Sequence, residues 1–458
     1  MNADAQTGSV RGPSPLERFL KVFGEVREGE GITLLLMFFN ILCLLGAFYI
    51  LKTVREPLIL MEGGAELKSY ASAFQAVFLV GYVPLYGWVA SRLPRQKFLR
   101  VVILFFVACI VLFVLGISAN VPHIGFAFFI WLGIFSVSLI AQFWSYANDI
   151  YTEEQGKRLF AIIAVGATAG APIGAFVAGH LFDAGIKPTF MLWIAGVLLI
   201  IHLVLYRIIG KRVRERDKNK GKKTKPLKKA NGFAMVMKSR YLMLIAALLV
   251  VLNIVNTTGE YILSSTVLEI ANEEVGVNGE EAVGEYIGGF YGTFFFWVNI
   301  ATILIQALLV SRIVKYMGMA GALFILPIIS LGAYSLVALG AGFVFFRALK
   351  TAENSTDYSL MNTTKQLLWL PTSVEEKYNA KQAIDTFFVR AGDVISAGIV
   401  FVGTTWLSLS LAGFGLANVV FVLIWLGLAF LLLRENKGVT GRYKEAKAAA
   451  AEPVPEES

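Results

Sequence analysis

The chain has 458 residues, of which 57% are hydrophobic and 16% are charged, and its formal net charge is +9. An ordinary soluble domain carries about 25% charged residues, so this composition, with its long apolar runs, excludes a large soluble domain. The two cysteines, Cys43 and Cys109, lie inside apolar runs and can build neither a disulfide framework nor a metal site. We expect no metal and no cofactor.

The apolar runs have the length of membrane-crossing helices, which need about 20 mostly apolar residues. They are too long for membrane β-strands and lack the alternation of such strands. The sequence therefore predicts an all-α polytopic membrane protein with about 12 transmembrane helices. A polar segment, 1–30, comes first and has no features of a cleavable signal peptide. The predicted spans are 31–51, 69–91, 98–118, 122–147, 158–181, 188–210, 241–266, 284–311, 319–339, 341–362, 382–407 and 412–434.

Basic residues are concentrated between the sixth and seventh predicted spans, from Lys211 to Lys229. Others follow the second, eighth and last spans, whereas the loop at 267–283 is acidic and has no lysine or arginine. Because short basic loops stay in the cytoplasm, this pattern predicts a multi-pass protein of the inner (plasma) membrane with both termini cytoplasmic. We interpret the basic segment as an orientation signal and not as a nucleic-acid site. Contact with anionic lipid headgroups is a second interpretation.

Short internal repeats divide the chain into two related halves. Residues 49–51 and 261–263 both read Tyr-Ile-Leu, and residues 91–92 and 311–312 both read Ser-Arg. Two pseudo-symmetric six-helix halves resemble the major facilitator architecture, whose substrate site lies between the halves. The predicted segments are a cytoplasmic N-terminal segment at 1–30, an N-terminal half at 31–210, a basic cytoplasmic linker at 211–240, a C-terminal half at 241–434 and a cytoplasmic tail at 435–458.

Glycines recur in the fifth predicted span, at Gly166, Gly170, Gly174 and Gly179. No Gly-Lys-Ser/Thr follows them, so they do not form the Walker A motif of nucleotide-hydrolysing proteins. Small residues spaced four apart let helices approach closely in lipid. We therefore predict a helix-packing face here, and transport driven by exchange or by an ion gradient.

Polar and ionisable side chains in the spans are the functional candidates, because a charge in the bilayer costs several kcal/mol and is retained mostly for function. They occur at the end of the first span, around the end of the fourth, in the seventh, and around the tenth and eleventh. The candidate substrate-binding and transport residues are Lys52, Arg55, Asn148, Asp149, Lys157, Arg158, Asn256, Glu260, Lys365, Lys381 and Asp385.

Structural roles are alternatives at several of these positions. Lys52, Arg55 and Glu56 at the membrane interface, with their side chains extended to the surface, would need no substrate. Asp149 and Lys157 would form an ion pair at a cytoplasmic helix end. Glu260 would belong to a structural pair inside the bundle.

Motifs around these charges resemble those of one transporter family. They are Leu-Lys-Thr-Val-Arg-Glu at 51–56, Gly-Ala-Glu at 64–66, Phe-Trp-Ser-Tyr-Ala-Asn-Asp at 143–149, Gln-Gly-Lys-Arg-Leu at 155–159, Glu-Tyr-Ile-Leu-Ser at 260–264, Asp-Tyr-Ser-Leu-Met-Asn-Thr-Thr-Lys-Gln at 357–366 and Lys-Gln-Ala-Ile-Asp at 381–385. These motifs occur in the same order as in the family and cover both halves of the chain. The sequence therefore resembles the plastid and bacterial ATP/ADP antiporter family, the TLC-type nucleotide transporters related to the major facilitators.

The resemblance implies alternating access and exchange of a nucleotide or a similar phosphorylated anion. It implies that Arg55 and Lys381 contact the anion and that Asp149 and Glu260 pair with these bases. The resemblance also implies that three basic residues attract the anion, or act as a gate, at the cytoplasmic mouth: Lys157, Arg158 and Lys365.

Departures from the family pattern leave other substrates open. Ser264 stands where the family has a lysine, and Gln366 stands where it has a glutamate. The alternative is an ion-coupled carrier of another amphipathic or anionic metabolite, and a distant alternative is a membrane-embedded enzyme or scaffold. We expect no enzymatic activity. The expected partners are a small anion and membrane lipid, without nucleic acid, for a protein that functions as a monomer.

Overall fold

A computed structural model describes residues 25–27, 29–92, 94–216, 232–373 and 375–449. All regular secondary structure in this described part is helical, and ten of its helices are long and apolar enough to cross a membrane. The predicted all-α polytopic membrane fold is confirmed. The helices are α1 Gly31–Arg92, α2 Arg95–Ser118, α3 Ile124–Ile150, α4 Glu153–Asp183, α5 Pro188–Arg216, α6 Gly232–Lys238, α7 Arg240–Val275, α8 Glu280–Leu304, α9 Ser311–Tyr316, α10 Gly318–Ala338, α11 Phe343–Thr356, α12 Asn362–Leu368, α13 Lys381–Ala383, α14 Val389–Phe401 and α15 Leu411–Ala449.

Helix α1 contains two predicted spans. Its 62 residues would extend about 93 Å as one straight helix, about three times the thickness of the hydrocarbon core. The helix is interrupted at Gly63 and Gly64, and the positive φ of Gly64, 67°, favours glycine at this position. The Lys68 ammonium lies 2.7 Å from the Glu56 carboxylate, which requires the chain to fold back between them. We call the two parts α1a (31–62) and α1b (65–92).

Several helices extend beyond the predicted spans. Helix α7 continues to Val275, so the acidic loop predicted at 267–283 is mostly helical, and only 276–279 separates α7 from α8. Alanine, leucine and glutamate favour helix, and a helix that leaves the membrane need not end there. Helix α15 likewise continues to Ala449, into the predicted tail. The predicted N-terminal segment, the basic linker and the tail fall partly outside the described residues, at 1–24, 217–231 and 450–458.

The tenth predicted span corresponds to α11, a π-helical turn at Asp357–Met361 and α12. It carries charged residues in its interior, which an isolated apolar helix would not tolerate. Lys350 is fully buried, and its ammonium donates to the Glu353 carboxylate at 2.8 Å and to Asn256 at 3.1 Å. Ser330 and Tyr334 of α10 also donate to Glu353. Ion pairing and hydrogen bonding therefore compensate these buried charges.

The glycine series of α4 packs backbone against backbone, which confirms the predicted packing face. A Cβ on Gly166 or Gly170 would lie 2.6 Å from a carbonyl oxygen of α1a, and one on Gly174 would lie 2.4 Å from the Gly46 carbonyl oxygen. A second close approach joins α4 to α8, where a Cβ on Gly292 would lie 2.3 Å from the Gly179 Cα. Larger residues at these positions would force the helices apart.

Apolar packing also shows how the helices group. One cluster of buried residues is drawn entirely from 26–209, and another is drawn mainly from 236–432. We call the side of the bundle with the Gly64 turn and the 276–279 junction the Gly64 end. At this end the Lys187 ammonium lies 3.4 Å from the Glu281 carboxylate. The opposite side, where α1a begins and α5 ends, is the linker end.

We expect the Gly64 end to face away from the cytoplasm, because the basic segments lie at the linker end. In a Cys43→Ser/Cys109→Ser background, an Asn278→Cys substitution at this exposed junction should react in intact cells with a membrane-impermeant thiol reagent. A Lys238→Cys substitution, exposed at the linker end, should react only after lysis. The opposite labelling pattern would reverse the orientation.

We expect Glu353→Ala to destabilise the protein by about 3–5 kcal/mol, because it leaves the Lys350 charge buried without its closest partner. The double variant Lys350→Met/Glu353→Leu should recover more than half of this loss, since it removes both charges. Thermal unfolding in detergent measures the effect. Equal destabilisation by the single and double variants would show that packing, and not the uncompensated charge, determines stability here.

Candidate functional site

A cavity of about 310 Å³ lies in the middle of the bundle between the two groups of helices. Pockets for small molecules usually measure about 300–1,000 Å³. Helices α1, α3, α7, α8, α11 and α14 contribute to its walls, together with the π-helical turn at Asp357–Met361. The lining residues are Lys52, Arg55, Lys68, Ser69, Ser72, Gln75, Phe129, Asn253, Asn256, Thr257, Glu260, Tyr261, Phe295, Asn354, Tyr358, Arg390 and Asp393.

Glu56 forms the centre of the cation cluster on the α1 side. Its carboxylate is fully buried, and Arg55 donates to one oxygen while the Lys68 ammonium lies 2.7 Å from the other. Lys68 also donates to the Ser264 hydroxyl of α7 at 2.8 Å. The guanidinium carbon of Arg55 lies 4.4 Å from the centre of the Phe129 ring, a cation–π distance. Buried contacts thus fix both cations at the cavity wall.

Glu260 lies between two lysines, Lys68 in the cavity wall and the fully buried Lys350. Its carboxylate oxygens lie 3.8 Å from the Lys68 ammonium and 3.8 Å from the Lys350 ammonium. Asn354 donates to the same carboxylate at 3.2 Å. These contacts are longer than those of Glu56, so the ion pairs of Glu260 are weaker. The Glu260 side chain is also 27% exposed, and this exposed part faces the cavity.

Lys52 has aromatic rather than acidic neighbours. Its ammonium lies 4.2 Å from the centre of the Phe295 ring and 5.2 Å from that of Tyr49. Within the described part of the chain, no carboxylate lies within ion-pairing distance of this ammonium. Lys52 therefore presents to the cavity a positive charge that contacts ring faces and forms no direct ion pair with the described residues.

A second ion pair occupies the wall formed by α7 and α14. Asp393 accepts from Asn253 at 2.8 Å, from Thr257 at 3.1 Å and from Arg390 at 3.3 Å. Two of these donors, Asn253 and Thr257, belong to α7, so the buried carboxylate joins α7 to α14 at this point. The Arg390 guanidinium remains partly exposed and lines the cavity.

Four of the predicted site residues line this cavity: Lys52, Arg55, Asn256 and Glu260. Their pairing differs from the expected one. Arg55 contacts the adjacent Glu56, whereas Glu260 contacts lysines. Lys52 and Arg55 line the cavity, where Arg55 binds Glu56 and Lys52 contacts the Phe295 ring, so in this structure their side chains do not extend away from the bundle.

Three predicted residues lie together at the linker end, outside the cavity. Lys365 pairs with Asp357 at 3.3 Å, and Lys381 donates to the Gln366 amide oxygen at 2.7 Å. Asp385 follows one turn after Lys381, in the π-helical turn Ile384–Phe388. Lys381 therefore does not meet Arg55 around a common site.

The remaining predicted residues lie around the start of α4. Asn148 and Asp149 are exposed in the last turn of α3. Arg158 binds Glu30 through two hydrogen bonds, of 3.1 and 3.2 Å. Burial raises the pKa of the Glu30 carboxyl, but hydrogen bonds from Arg158, the Arg27 backbone and Gln155 outweigh it, so this pKa lies below its usual range. Lys157 is on α4, and its side chain lies outside the described part.

Sequence reasoning missed Lys68, Glu56, Arg390 and Asp393 as site residues. Lys68 lies between the first two predicted spans, where a lysine is unremarkable, and only the fold-back at Gly64 brings it to Glu56. The signal available for Asp393 was its place in a predicted span, one helical turn from Arg390.

Comparison with known proteins gives a consistent result. Residues 33–363 match the model of the Major Facilitator Superfamily. An "ADP,ATP carrier protein 1" of Rickettsia bellii is 23% identical, over 93% of this chain and 96% of the carrier. The Chlamydia muridarum carrier of the same name is 24% identical, over 58% of this chain, and the chain spans about half of that carrier (56%).

Solved structures share the fold at low sequence identity. The nucleoside transporter NupG aligns with a TM-score of 0.61 and 14% identity, over 88% of this chain and 98% of NupG. A bacterial homologue of the iron transporter ferroportin, in an inward-facing state, aligns with a TM-score of 0.59 and 15% identity, over 87% of this chain and 98% of the homologue. The ten apolar helices, the central cavity and the matched model lead to one conclusion: the chain is a membrane transporter that belongs to the Major Facilitator Superfamily.

Proposed function

We propose that this transporter exchanges a nucleotide, or a similar phosphorylated anion, by alternating access. The surplus of cations in the central cavity carries the proposal. The lining cations are Lys52, Arg55, Lys68 and Arg390. The carboxylates that line the cavity or bind these cations are Glu56, Glu260 and Asp393, so one positive charge remains in excess. A cavity with this balance favours an anion, because burying a net positive charge without a counter-ion is costly.

The aromatic side chains in the cavity wall suit the base of a nucleotide. Phe129 and Phe295 already contact Arg55 and Lys52, and Tyr358 lies beside them in the lining. Ring faces next to cations match a ligand that joins a planar base to phosphate groups. The names of the relatives in Rickettsia and Chlamydia, ADP,ATP carriers, support the same class of substrate.

The proposal includes a two-half arrangement in the inner membrane with both termini in the cytoplasm. Residues 31–210 and 241–434 would form the halves, and the transporter would function as a monomer. The two separate apolar clusters support this division. Alternating access would require α4 and α8 to part at the Gly64 end, where Gly179 and Gly292 are in contact.

The test is uptake into proteoliposomes. Purified protein in vesicles loaded with ADP should take up labelled ATP from outside, and empty vesicles should take up much less. Inorganic phosphate, sugar phosphates and nucleosides serve as competitors that separate the phosphate requirement from the base requirement. Equal uptake into loaded and empty vesicles, or no competition by any nucleotide, would contradict the proposal.

We expect Lys52→Gln to lower uptake at subsaturating substrate by about 10–100-fold, mainly through KM, because it removes a charged hydrogen-bond donor. Lys52→Arg should retain part of the activity, since the charge remains. Lys52 tests binding more directly than Arg55 does, because removing Arg55 also removes an ion-pair partner of the buried Glu56. Lys187→Gln, on the exposed Gly64 end, is the matched control and should transport normally. Unchanged KM in Lys52→Gln would remove this residue from the binding site.

Glu260→Gln separates exchange from proton-coupled transport. In an exchanger, the neutral variant should exchange more slowly, because Lys68 and Lys350 lose a counter-charge, and a pH gradient should have little effect on either protein. In a proton-coupled carrier, the variant would lose uphill accumulation and keep exchange. We expect exchange. Accumulation driven by a pH gradient in vesicles without internal substrate, and lost in Glu260→Gln, would establish the ion-coupled alternative.

A further inference from the structure

A second cavity, far from the transport site, lies at the linker end on the outer surface of the first group of helices. Its volume is about 170 Å³. Helices α2, α3 and α5 form it, and its lining residues are Gln96, Leu99, Arg100, Tyr146, Leu203, Tyr206, Arg207, Gly210 and Lys211. The proposed transport function uses none of them.

The cavity has a basic rim. Arg100, Arg207 and Lys211 are exposed around it, and none of the described residues that line it is acidic. Arg207 and Lys211 lie four apart on α5 and so share one helical face. Among the described residues, the hydrogen bond of the Arg100 side chain is from its Nε to the Gln96 carbonyl oxygen, at 3.2 Å, and leaves the outer nitrogens to reach a ligand. The rim is complementary to a phosphate group.

The floor of the cavity is aromatic and depends on a glycine. Tyr146 and Tyr206 are buried with ring centres 4.5 Å apart. A Cβ on Gly210 would lie 3.1 Å from the Gln96 amide nitrogen and 3.6 Å from the Tyr146 hydroxyl. A side chain at position 210 would therefore occupy the space that the glycine leaves.

Apolar surface adjoins the rim on the membrane side. Val101 and Leu104 follow Arg100 along α2, and Val204 precedes Arg207 on α5, with 46–51% of each residue exposed. Acyl chains can cover such helix faces, while basic pockets between membrane helices bind the headgroups of anionic lipids. We propose that this cavity binds the phosphate headgroup of an anionic phospholipid, whose acyl chains lie along α2 and α5.

The test compares lipid binding to detergent-purified protein by native mass spectrometry. The wild-type protein should bind dioleoyl phosphatidylglycerol in preference to dioleoyl phosphatidylcholine. Arg207→Gln/Lys211→Gln should weaken phosphatidylglycerol binding by about fivefold per charge, about 30-fold in all. Arg312→Gln/Lys315→Gln removes two exposed charges from another helix end and should leave binding within about threefold of wild type.

A cavity-filling variant distinguishes this pocket from diffuse attraction. Gly210→Leu keeps every charge but fills the floor, and it should lose the preference for phosphatidylglycerol. Gly427→Leu, where a new side chain meets open space, is its control and should keep the preference. If Arg207→Gln/Lys211→Gln is poorly folded, the single variants Arg207→Gln and Lys211→Gln replace it, and each should weaken phosphatidylglycerol binding by about fivefold.

Two results would overturn the assignment. Full preference for phosphatidylglycerol in Gly210→Leu would show that the pocket is not the site. Displacement of the lipid by millimolar inorganic phosphate would assign the cavity to a free phosphate and not to a lipid.

Discussion

The buried carboxylate of Glu56 is the contact on which the central site depends. It has no exposed surface, and Arg55 and Lys68 both bind it. Glu56 lies before the Gly64 turn and Lys68 lies after it, so the ion pair fixes the angle between α1a and α1b. Because Lys68 also donates to Ser264 of α7, the same carboxylate indirectly connects the two groups of helices.

This arrangement has a consequence for how an anion would bind. Internal carboxylates already hold Arg55, Lys68 and Arg390 in place, so an incoming phosphate finds these cations preorganised and need not order flexible side chains. Lys52 differs because its ammonium contacts ring faces and forms no direct ion pair with a carboxylate of the described residues. It is therefore the cation with the most to gain electrostatically from an anionic ligand.

The sequence predicted the helices well and the site in part. Long apolar runs identify membrane helices because the bilayer core requires them, and Glu260 was recognisable because a carboxylate in such a run is costly. Lys68 and Glu56 carry no such signal, since pairing over twelve residues requires the Gly64 turn. Lys381 was expected to contact the same anion as Arg55, but the fold places it at the linker end beside Gln366. Lys365, which was expected at the mouth of the transport path, lies at the same end. Hydropathy does not determine the depth of a charged residue once a partner neutralises it.

The backbone contact of Gly179 with Gly292 makes this transporter suitable for conformational locking. The two backbones meet there without intervening side chains, so a side chain added at either glycine has no room unless α4 and α8 separate. A bulky residue at position 292 would push α4 and α8 apart and stabilise the conformation that is open at the Gly64 end. Such a form would supply a homogeneous sample for cryo-microscopy or for raising state-specific antibodies, without any change to the charges of the cavity.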